Sequence, residues 1–218
     1  MIWTLVFEST VQTLVMVLFS TVFALLLGLP LGILLCVTGP ESQGGITPRP
    51  VLNEVLSRIV NVLRSFPFII LMILLFPLSR LIVGTSIGTA ATIVPLSIAA
   101  APFVARIIES ALKEVDPGVV QAARAMGSTN SQIIFKVLLP EAMPSLVSGV
   151  TLTIINLIGY SAMAGAIGGG GLGDLAIRYG YQRFRSDVML VAVVVILLLV
   201  EIIQFVGNKI SSKMIERR

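Results

Sequence analysis

Five long apolar stretches, separated by short polar or turn-rich segments, make up most of the sequence. They cover approximately residues 11–37, 59–83, 87–112, 145–167 and 188–206. Each has about the 20 apolar residues that an α-helix needs to cross the hydrocarbon core of a bilayer. Because only helices and closed barrels satisfy their backbone polar groups in lipid, the pattern predicts an all-α polytopic membrane protein with about five transmembrane helices. We expect one membrane domain over residues 1–218, with its core at about residues 11–207.

Prolines lie in or next to four of these stretches, including Pro30 in the first and Pro95 and Pro102 in the third. Pro67 and Pro77 are inside the second stretch, which we expect to form one span, and Pro144 precedes the fourth. Proline is tolerated in membrane helices when neighbouring groups satisfy the freed carbonyls. Residues 41–50 are rich in Gly, Pro and Ser and predict a connector. The first stretch has no positive charges before it and is too long for a signal-peptide core, so we expect no cleavage.

The polar segment between the third and fourth stretches, residues 116–140, predicts a helical hairpin. Asp116 is a favourable N-cap, and Pro117 suits the first helical position because no amide hydrogen is needed there. Gly127 predicts a left-handed end to this first helix. Its apolar face, at i, i+3, i+4 and i+7, consists of Val119, Ala122, Ala123 and Met126. Small residues at the centre of that face would let another backbone approach closely.

A second hairpin helix is predicted directly afterwards. Thr129 and Gln132 have the spacing of a capping box, and Pro140 is expected to bound the helix. The apolar side would carry Ile133, Ile134, Val137 and Leu138, with Lys136 pointing to water or headgroups. Periodicity alone leaves two interpretations of the first helix: an amphipathic linker on the membrane surface, or a docking helix inserted into a soluble partner.

Composition places most of the surface in lipid and excludes several classes of function. Of the 218 residues, 56% are hydrophobic and 12% are charged, and the mean hydropathy is +1.02. Histidine is absent and Cys36 is the single cysteine. This excludes histidine-based catalysis, a Cys/His zinc site and a disulfide within one copy. We therefore predict no catalytic, metal or cofactor site.

The basic residues lie near the ends of the apolar stretches, which indicates orientation in a membrane and not nucleic-acid binding, although the net charge is +4. If residues 116–140 are cytoplasmic, the inner side holds Arg49, Arg58, Arg64, Arg106, Lys113, Arg124, Lys136, Lys209, Lys213, Arg217 and Arg218. The outer side holds Arg80, Arg178, Arg183 and Arg185. By the positive-inside rule, eleven against four predicts an outer N-terminus and a cytoplasmic C-terminus.

The sequence formally matches one nucleotide-binding motif and lacks another. Gly168, Gly170 and Gly173 satisfy G-x-G-x-x-G, but a dinucleotide site follows a strand, and here a membrane helix is predicted before it. The sequence contains no G-x-x-x-x-G-K-[S/T]. We therefore reject the dinucleotide site, and we do not expect this chain to bind ATP through a P-loop of its own.

Glu201 lies inside the fifth apolar stretch. A charge at the centre of a span costs roughly 2.5–3.5 kcal/mol on insertion scales. One interpretation is a proton relay in a secondary transporter. The other, which we favour, is a carboxylate near the wet interface or paired with Arg58 or Arg64, because no second buried acid or histidine would continue a relay.

Residues 156–173, NLIGYSAMAGAIGGGGLG, are rich in small side chains. Gly165 and Gly169 form a small-xxx-small pair, which is typical of close helix crossing. The segment is either tightly packed, including across a dimer, or a pore-lining helix with a glycine-rich outer gate. For the second case we predict a constriction formed by Tyr160, Ser161, Met163 and Gly165. The flexible Met163 thioether could fill a gap in one conformation and leave it in another.

The hairpin resembles the EAA loop of permease subunits of ATP-binding-cassette (ABC) importers. The resemblance rests on Gln121-Ala-Ala123, on Gly127 four residues after Ala123, and on the segment VLLP at residues 137–140. It implies that the first hairpin helix is a cytoplasmic coupling helix that docks into a separate ATPase. The docking residues implied are Gln121, Ala122, Ala123, Met126 and Gly127. Gln121 occupies the position where the family usually has glutamate, so hydrogen bonds are expected there in place of an ion pair.

Other segments are similar to the permease subunit of methionine ABC importers. They are RSFPFIIL at 64–71, VGTSIG at 83–88, AAPFVAR at 100–106 and GYSAMAG at 159–165. This resemblance implies an ABC transmembrane type-1 fold in the bacterial cytoplasmic membrane. It also implies a homodimer on two ATPase subunits, fed with methionine, D- or L-, by a periplasmic or lipoprotein substrate-binding protein. The alternatives are a proton-coupled carrier, a permease for another small polar solute, and a purely structural membrane subunit.

Overall fold

The computed structural model describes residues 2–40 and 45–216, and within them it contains helices and no strand. The helices are α1 (Ile2–Thr38), α2 (Pro50–Ser65), α3 (Phe68–Val83), α4 (Thr89–Lys113), α5 (Pro117–Ala125), α6 (Asn130–Gln132), α7 (Leu139–Gly165), α8 (Gly171–Asp174) and α9 (Ser186–Ile215). Two π-helical segments, Ile133–Leu138 and Leu175–Tyr181, continue α6 and α8. The predicted all-α class is confirmed. Residues 41–44 of the predicted connector lie outside the described residues.

In the part of the chain that the structure describes, four helices are long and apolar enough to cross a membrane: α1, α4, the continuous helix Asn130–Gly165, and α9. α1 begins at Ile2, ahead of the predicted start at residue 11. Within this added part of the helix, Thr10 Oγ1 donates to Val6 O at 2.7 Å.

The second predicted span is not one straight helix. α2 and α3 are separated by Phe66 and Pro67, so the predicted span is interrupted at this point. Pro67 is extended, with φ −60° and ψ 125°, and a residue that precedes proline is disfavoured in the helical region. Pro77, by contrast, lies inside α3. The predicted five spans are reached when α2 and α3 are counted as one.

The fourth predicted span begins earlier than expected, because α6, the first π-helical segment and α7 form one helix, Asn130–Gly165. The prediction that Pro140 bounds the second hairpin helix was therefore wrong. A proline ring in a regular helix clashes with the carbonyl four residues earlier. Here the wider π turn lies directly before Pro140, and Leu139 N donates to Ile134 O, five residues back. The widened turn allows the helix to continue through proline.

The described residues form two compact units. Unit 1 comprises residues 2–24, 66–100 and 152–205, and unit 2 comprises residues 25–40, 45–65, 101–151 and 206–216. A buried apolar cluster in unit 1 consists of Val6, Leu172, Leu175, Val188 and Ala192. A second cluster, in unit 2, consists of Leu35, Val60 and Ala105 from α1, α2 and α4. Also in unit 2, Asn53 Nδ2 of α2 donates to Leu35 O at 2.7 Å, which satisfies one of the last carbonyls of α1.

Candidate functional site

The first hairpin helix, α5, begins and ends as the sequence predicts. Asp116 Oδ1 accepts a hydrogen bond from Gly118 N at 2.7 Å, and Pro117 occupies the first helical position. After α5 the chain turns at Gly127, whose φ of 77° is in the left-handed region. Ser128 N donates back to Ala123 O at 3.1 Å. Local bonds therefore fix both ends of α5.

The second hairpin helix also begins at the predicted residue. Thr129 Oγ1 accepts from Gln132 N at 3.3 Å, and Gln132 Oε1 accepts from Thr129 N at 2.9 Å. This reciprocal pair is the predicted capping box. Beyond it Ile133 and Leu138 are buried and Lys136 is exposed, as predicted. Side-chain caps and one glycine thus define the connection between the two hairpin helices.

α5 packs on its own chain through Val120 and Ala123, which are only 8% and 3% exposed. Val119 and Met126 are exposed, at 40% and 80%. The apolar face predicted from spacing is therefore partly buried against the chain and partly exposed. A helix of nine residues has two overlapping sets of positions with helical spacing, and spacing alone does not tell which set is buried. We define the α5 exposed face as Val119, Gln121, Ala122 and Met126, all of which are exposed.

Two side chains hold the hairpin to residues 45–49. Arg124 Nη2 donates to Ile46 O at 3.0 Å, and Asn130 Nδ2 donates to Thr47 Oγ1 at 3.2 Å. Ile46 is itself buried. Neither Arg124 nor Asn130 belongs to the α5 exposed face, so the hairpin is fixed to its own chain while that face stays exposed.

The four residues predicted to form a constriction lie in α7, but they do not share one face. Met163 is 48% exposed, whereas Ser161 and Gly165 are buried. Ser161 Oγ donates to a backbone carbonyl within α7 at 2.7 Å. The Tyr160 ring stacks on Phe68 of α3, with centroids 4.5 Å apart and an interplanar angle of 6°. Of the four, Met163 has the exposed side chain, and the others contact their own chain.

Met163 belongs to a line of exposed residues along one side of α7. This α7 stripe, with a spacing of three or four residues, consists of Leu152, Asn156, Gly159 and Met163 on α7 and of Ala166, which directly follows the last residue of α7. The Asn156 side chain makes no hydrogen bond to another residue that the structure describes, although an amide inside a membrane span needs a polar partner or water. Asn156 is not among the site residues predicted from the sequence. Its place seven residues before Met163, on the same helix face, is the signal that could have found it.

The glycine run after α7 packs within the chain. Gly165 lies against the backbone of Gly173 and Asp174, and a Cβ on Gly165 would overlap Asp174 N. A Cβ on Gly169 would lie 2.8 Å from Ala164 O. The tight-packing interpretation of this run therefore holds inside a single copy. A helix, and not a strand, precedes the run, which agrees with the rejection of the dinucleotide motif.

Side chains of α1 cap the start of α8, which the sequence analysis missed. Gly171 N donates to Gln12 Oε1 at 2.8 Å, and Leu172 N donates to Thr13 Oγ1 at 2.9 Å. The residue before α8 is Gly170, which has no side chain to serve as a cap. Each bond joins residues 159 positions apart. No local pattern could have indicated it.

Glu201 lies midway along α9, and its side chain is exposed. Arg58, one of the two partners suggested for Glu201 from the sequence, pairs with Glu54 of α2, at 2.5 Å between Nη2 and Oε1. Within the described residues of unit 1, Glu201 forms no ion pair.

Residues 28–216 match the family described as the inner membrane component of binding-protein-dependent transport systems. The chain belongs to this family, and it is therefore a multi-pass permease component of the bacterial inner membrane. An inward-facing structure of the MetNI methionine ABC transporter, in its CY5 native crystal form, has the same fold, with a TM-score of 0.94 at 48% identity over 97% of each chain. The predicted ABC transmembrane type-1 fold is confirmed.

Individual relatives extend the similarity over most of the chain. The chain is 50% identical over 213 residues to the probable D-methionine transport system permease protein MetI of Vibrio cholerae serotype O1, covering 98% of this chain and 93% of that protein. It is 51% identical over 171 residues to the methionine import system permease protein MetP of Bacillus subtilis, covering 78% and 77%. An amino acid ABC transporter solved with histidines shares the fold, with a TM-score of 0.72 at 21% identity over 99% of this chain and 94% of that chain. The resemblance to methionine importer permeases is confirmed.

Proposed function

We propose that this chain is the permease subunit of a bacterial ABC importer for methionine, D- or L-. Two copies would enclose the translocation path around a two-fold axis. Two separate ATPase subunits would supply the energy, and a substrate-binding protein would deliver the amino acid. The similarity to methionine permeases over nearly the whole chain supports this function. The absence of a P-loop motif from the sequence is in keeping with a separate ATPase.

The observation that carries the proposal is the α5 exposed face. α5 has both ends capped, is anchored to its own chain by Ala123, and presents Gln121, Ala122 and Met126 outward. A helix lying on a membrane would turn a continuous apolar stripe toward lipid. An amide beside a small side chain is better suited to close contact with another protein backbone. In this proposal Gln121, Ala122 and Met126 contact the ATPase, and Gly127 sets the turn that holds them.

We further propose that the α7 stripe lines the translocation path and that Met163 forms its constriction. The unbranched thioether can occupy the path in one conformation and leave it in another. Tyr160, Ser161 and Gly165 would hold α7 in position at this level through their contacts within the chain. Asn156 would offer a hydrogen-bond donor and an acceptor to the charged ends of an amino acid.

We propose that the hairpin and the C-terminus lie in the cytoplasm and the N-terminus outside. The eleven-to-four distribution of basic residues supports this orientation. In intact cells, with Cys36 replaced, a Ser128→Cys variant should not react with a membrane-impermeant thiol reagent until the cells are opened. Phe184→Cys, at a position that is 91% exposed, should react at once and is the matched control. External labelling of Ser128→Cys would overturn the orientation.

Purification from native membranes followed by reconstitution tests the function itself. We expect an ATPase to copurify, and methionine uptake into vesicles to require ATP and the binding protein. Uptake by this chain alone, driven by a pH gradient, would support the proton-coupled carrier instead. Preference for another small polar solute would keep the permease class and overturn the substrate. A chain that copurifies with no ATPase and transports nothing would be a structural subunit.

A further inference from the structure

The C-terminal end of α4 contains a buried carboxylate between two cations. Glu109 is only 6% exposed. Its Oε2 accepts from Arg106 Nη1 at 2.6 Å, and its Oε1 accepts from Lys113 Nζ at 2.8 Å. Both oxygens of one buried carboxylate are therefore held by charge-assisted hydrogen bonds from the same helix.

Arg106 extends this group to α2. Its Nη2 donates to Ser57 O at 3.1 Å and to Asn61 Oδ1 at 3.0 Å. The guanidinium is planar and rigid, so one nitrogen fixes Glu109 while the other fixes α2. We define the α2–α4 clamp as Asn61, Arg106, Glu109 and Lys113.

Cohesion alone does not require the clamp, because Leu35, Val60 and Ala105 already pack α1, α2 and α4 together. A buried ion pair often adds no more stability than well-packed apolar residues, since the loss of hydration offsets the attraction. Charge-assisted bonds do impose particular distances and directions on the groups they join. The clamp is therefore better suited to keeping two helices in register during a movement than to holding them together.

The clamp lies directly before the hairpin in the chain. Lys113 is the last residue of α4, and Asp116, three residues later, caps α5. Glu114, between them, accepts from Ser145 Oγ at 2.6 Å, so this short connection is also tied to α7. Lys113 and Glu109 are therefore the clamp residues nearest to α5 along the chain.

We propose that the α2–α4 clamp couples α5 to α2, with Glu109 as a positioning residue for transport. This rests on the proposed function, in which α5 contacts a separate ATPase. When the ATPase moves α5, the clamp transmits the movement to α2 as a shift of packed helices. With the clamp broken, the ATPase still binds and hydrolyses ATP, but hydrolysis is no longer linked to import.

The test is a Glu109→Gln permease in the reconstituted complex with its ATPase and binding protein. ATP hydrolysis and methionine import are measured in the same vesicles. We expect assembly and hydrolysis to persist and the methionine imported per ATP to fall about tenfold, within the usual range of coupling between sites. Glu109→Asp keeps the charge and should recover part of the ratio. Glu54→Gln, which breaks the exposed pair with Arg58 on α2, should leave the ratio unchanged.

Asn61→Leu removes one hydrogen-bond acceptor from Arg106 without removing a charge. It provides a second test of the clamp if Glu109→Gln does not assemble. We expect it to lower the import ratio about threefold, as for the loss of one hydrogen bond. The proposed role of the clamp is overturned if Asn61→Leu imports as much methionine per ATP as the wild type and Glu109→Gln either does the same or fails to assemble. The proposed function would remain intact in that case. Absence of ATPase binding or methionine import in the wild type would overturn the proposed function, and the role of the clamp with it.

Discussion

The hairpin and the glycine run after α7 are both rich in small residues, but the structure uses these residues in opposite ways. Ala122 of the hairpin is exposed, whereas Gly165 and Gly173 are buried against backbone of their own chain. The hairpin is fixed by caps from its own sequence, and the glycine run by Gln12 and Thr13 of α1. Small residues thus indicate that a backbone approaches closely, but not whether it belongs to the same chain.

The two regions should therefore fail in different ways. Added bulk in the glycine run should lower the stability of the chain, because the space is already occupied. Added bulk or charge on the α5 exposed face should weaken a contact with another protein while the chain stays folded, because none of the described residues covers that face.

The largest effect is expected for Gly165→Val. A side chain there overlaps Asp174 N and the Gly173 backbone, which cannot move aside as a flexible side chain could, so we expect a loss of about 3 kcal/mol in the free energy of unfolding. Thermal unfolding of the purified permease and its level in membranes measure this. The matched control is Gly159→Val, where a Cβ has nothing within 4 Å. Equal stability of the two variants would contradict the packing described for the glycine run.

Ala122→Glu is expected to have the second-largest effect. It places a charge and a longer side chain on the α5 exposed face. We expect ATPase binding to weaken by about 2 kcal/mol, or about thirtyfold, as for an interface hot spot. The permease itself should unfold at the wild-type temperature. The measurement is the ATPase copurified per permease.

Ser131→Glu is the control for this charge, because Ser131 is exposed on α6 and lies outside the α5 exposed face. Ala123→Glu should differ from both, since Ala123 is 3% exposed and its replacement should lower stability as well as binding. If Ala122→Glu retained wild-type ATPase binding, docking through this face would be ruled out.

A Met163→Cys variant in which Cys36 is replaced tests whether the α7 stripe faces a second copy of the chain. We expect an intersubunit disulfide in the closed path, which requires the two Cα atoms to come within about 7 Å, and a yield that changes when nucleotide binds. Ser161→Cys, at a buried position two residues away, should form no such bond. An assembled complex that shows no Met163→Cys crosslink in any nucleotide state would remove Met163 from the constriction.

The features that sequence predicted well are those that depend on a few adjacent residues. The Asp116 cap, the left-handed Gly127 and the capping box of Thr129 and Gln132 are all present as predicted, because each is a local bond or backbone angle. The caps that Gln12 and Thr13 provide for α8 depend on residues 159 positions apart, and no window of sequence contains both partners.

The prolines show that local sequence alone does not determine where a helix ends. The chain breaks at Pro67 but continues as helix through Pro140 and Pro144. The difference lies in the surroundings, since a π turn precedes Pro140 and moves the clashing carbonyl away, whereas the residue before Pro67 is left outside the helix. The same limit applies to α5, where spacing identified an apolar helix but not which side of it the chain covers.

The smallest effect on the hairpin is expected for Gln121→Ala. Gln121 is exposed, so its loss leaves no buried group unsatisfied, and a neutral hydrogen bond to the ATPase contributes about 1 kcal/mol or less. Titration of the ATPase should therefore show at most about a fivefold weaker dissociation constant. Gln121→Glu adds a carboxylate to this exposed position, and any change it brings should shrink as salt is raised, because the Debye length is about 10 Å at 0.1 M and shortens at higher ionic strength. A loss in Gln121→Ala as large as that in Ala122→Glu would mean that the amide, and not the small side chain beside it, is the main contact on the α5 exposed face.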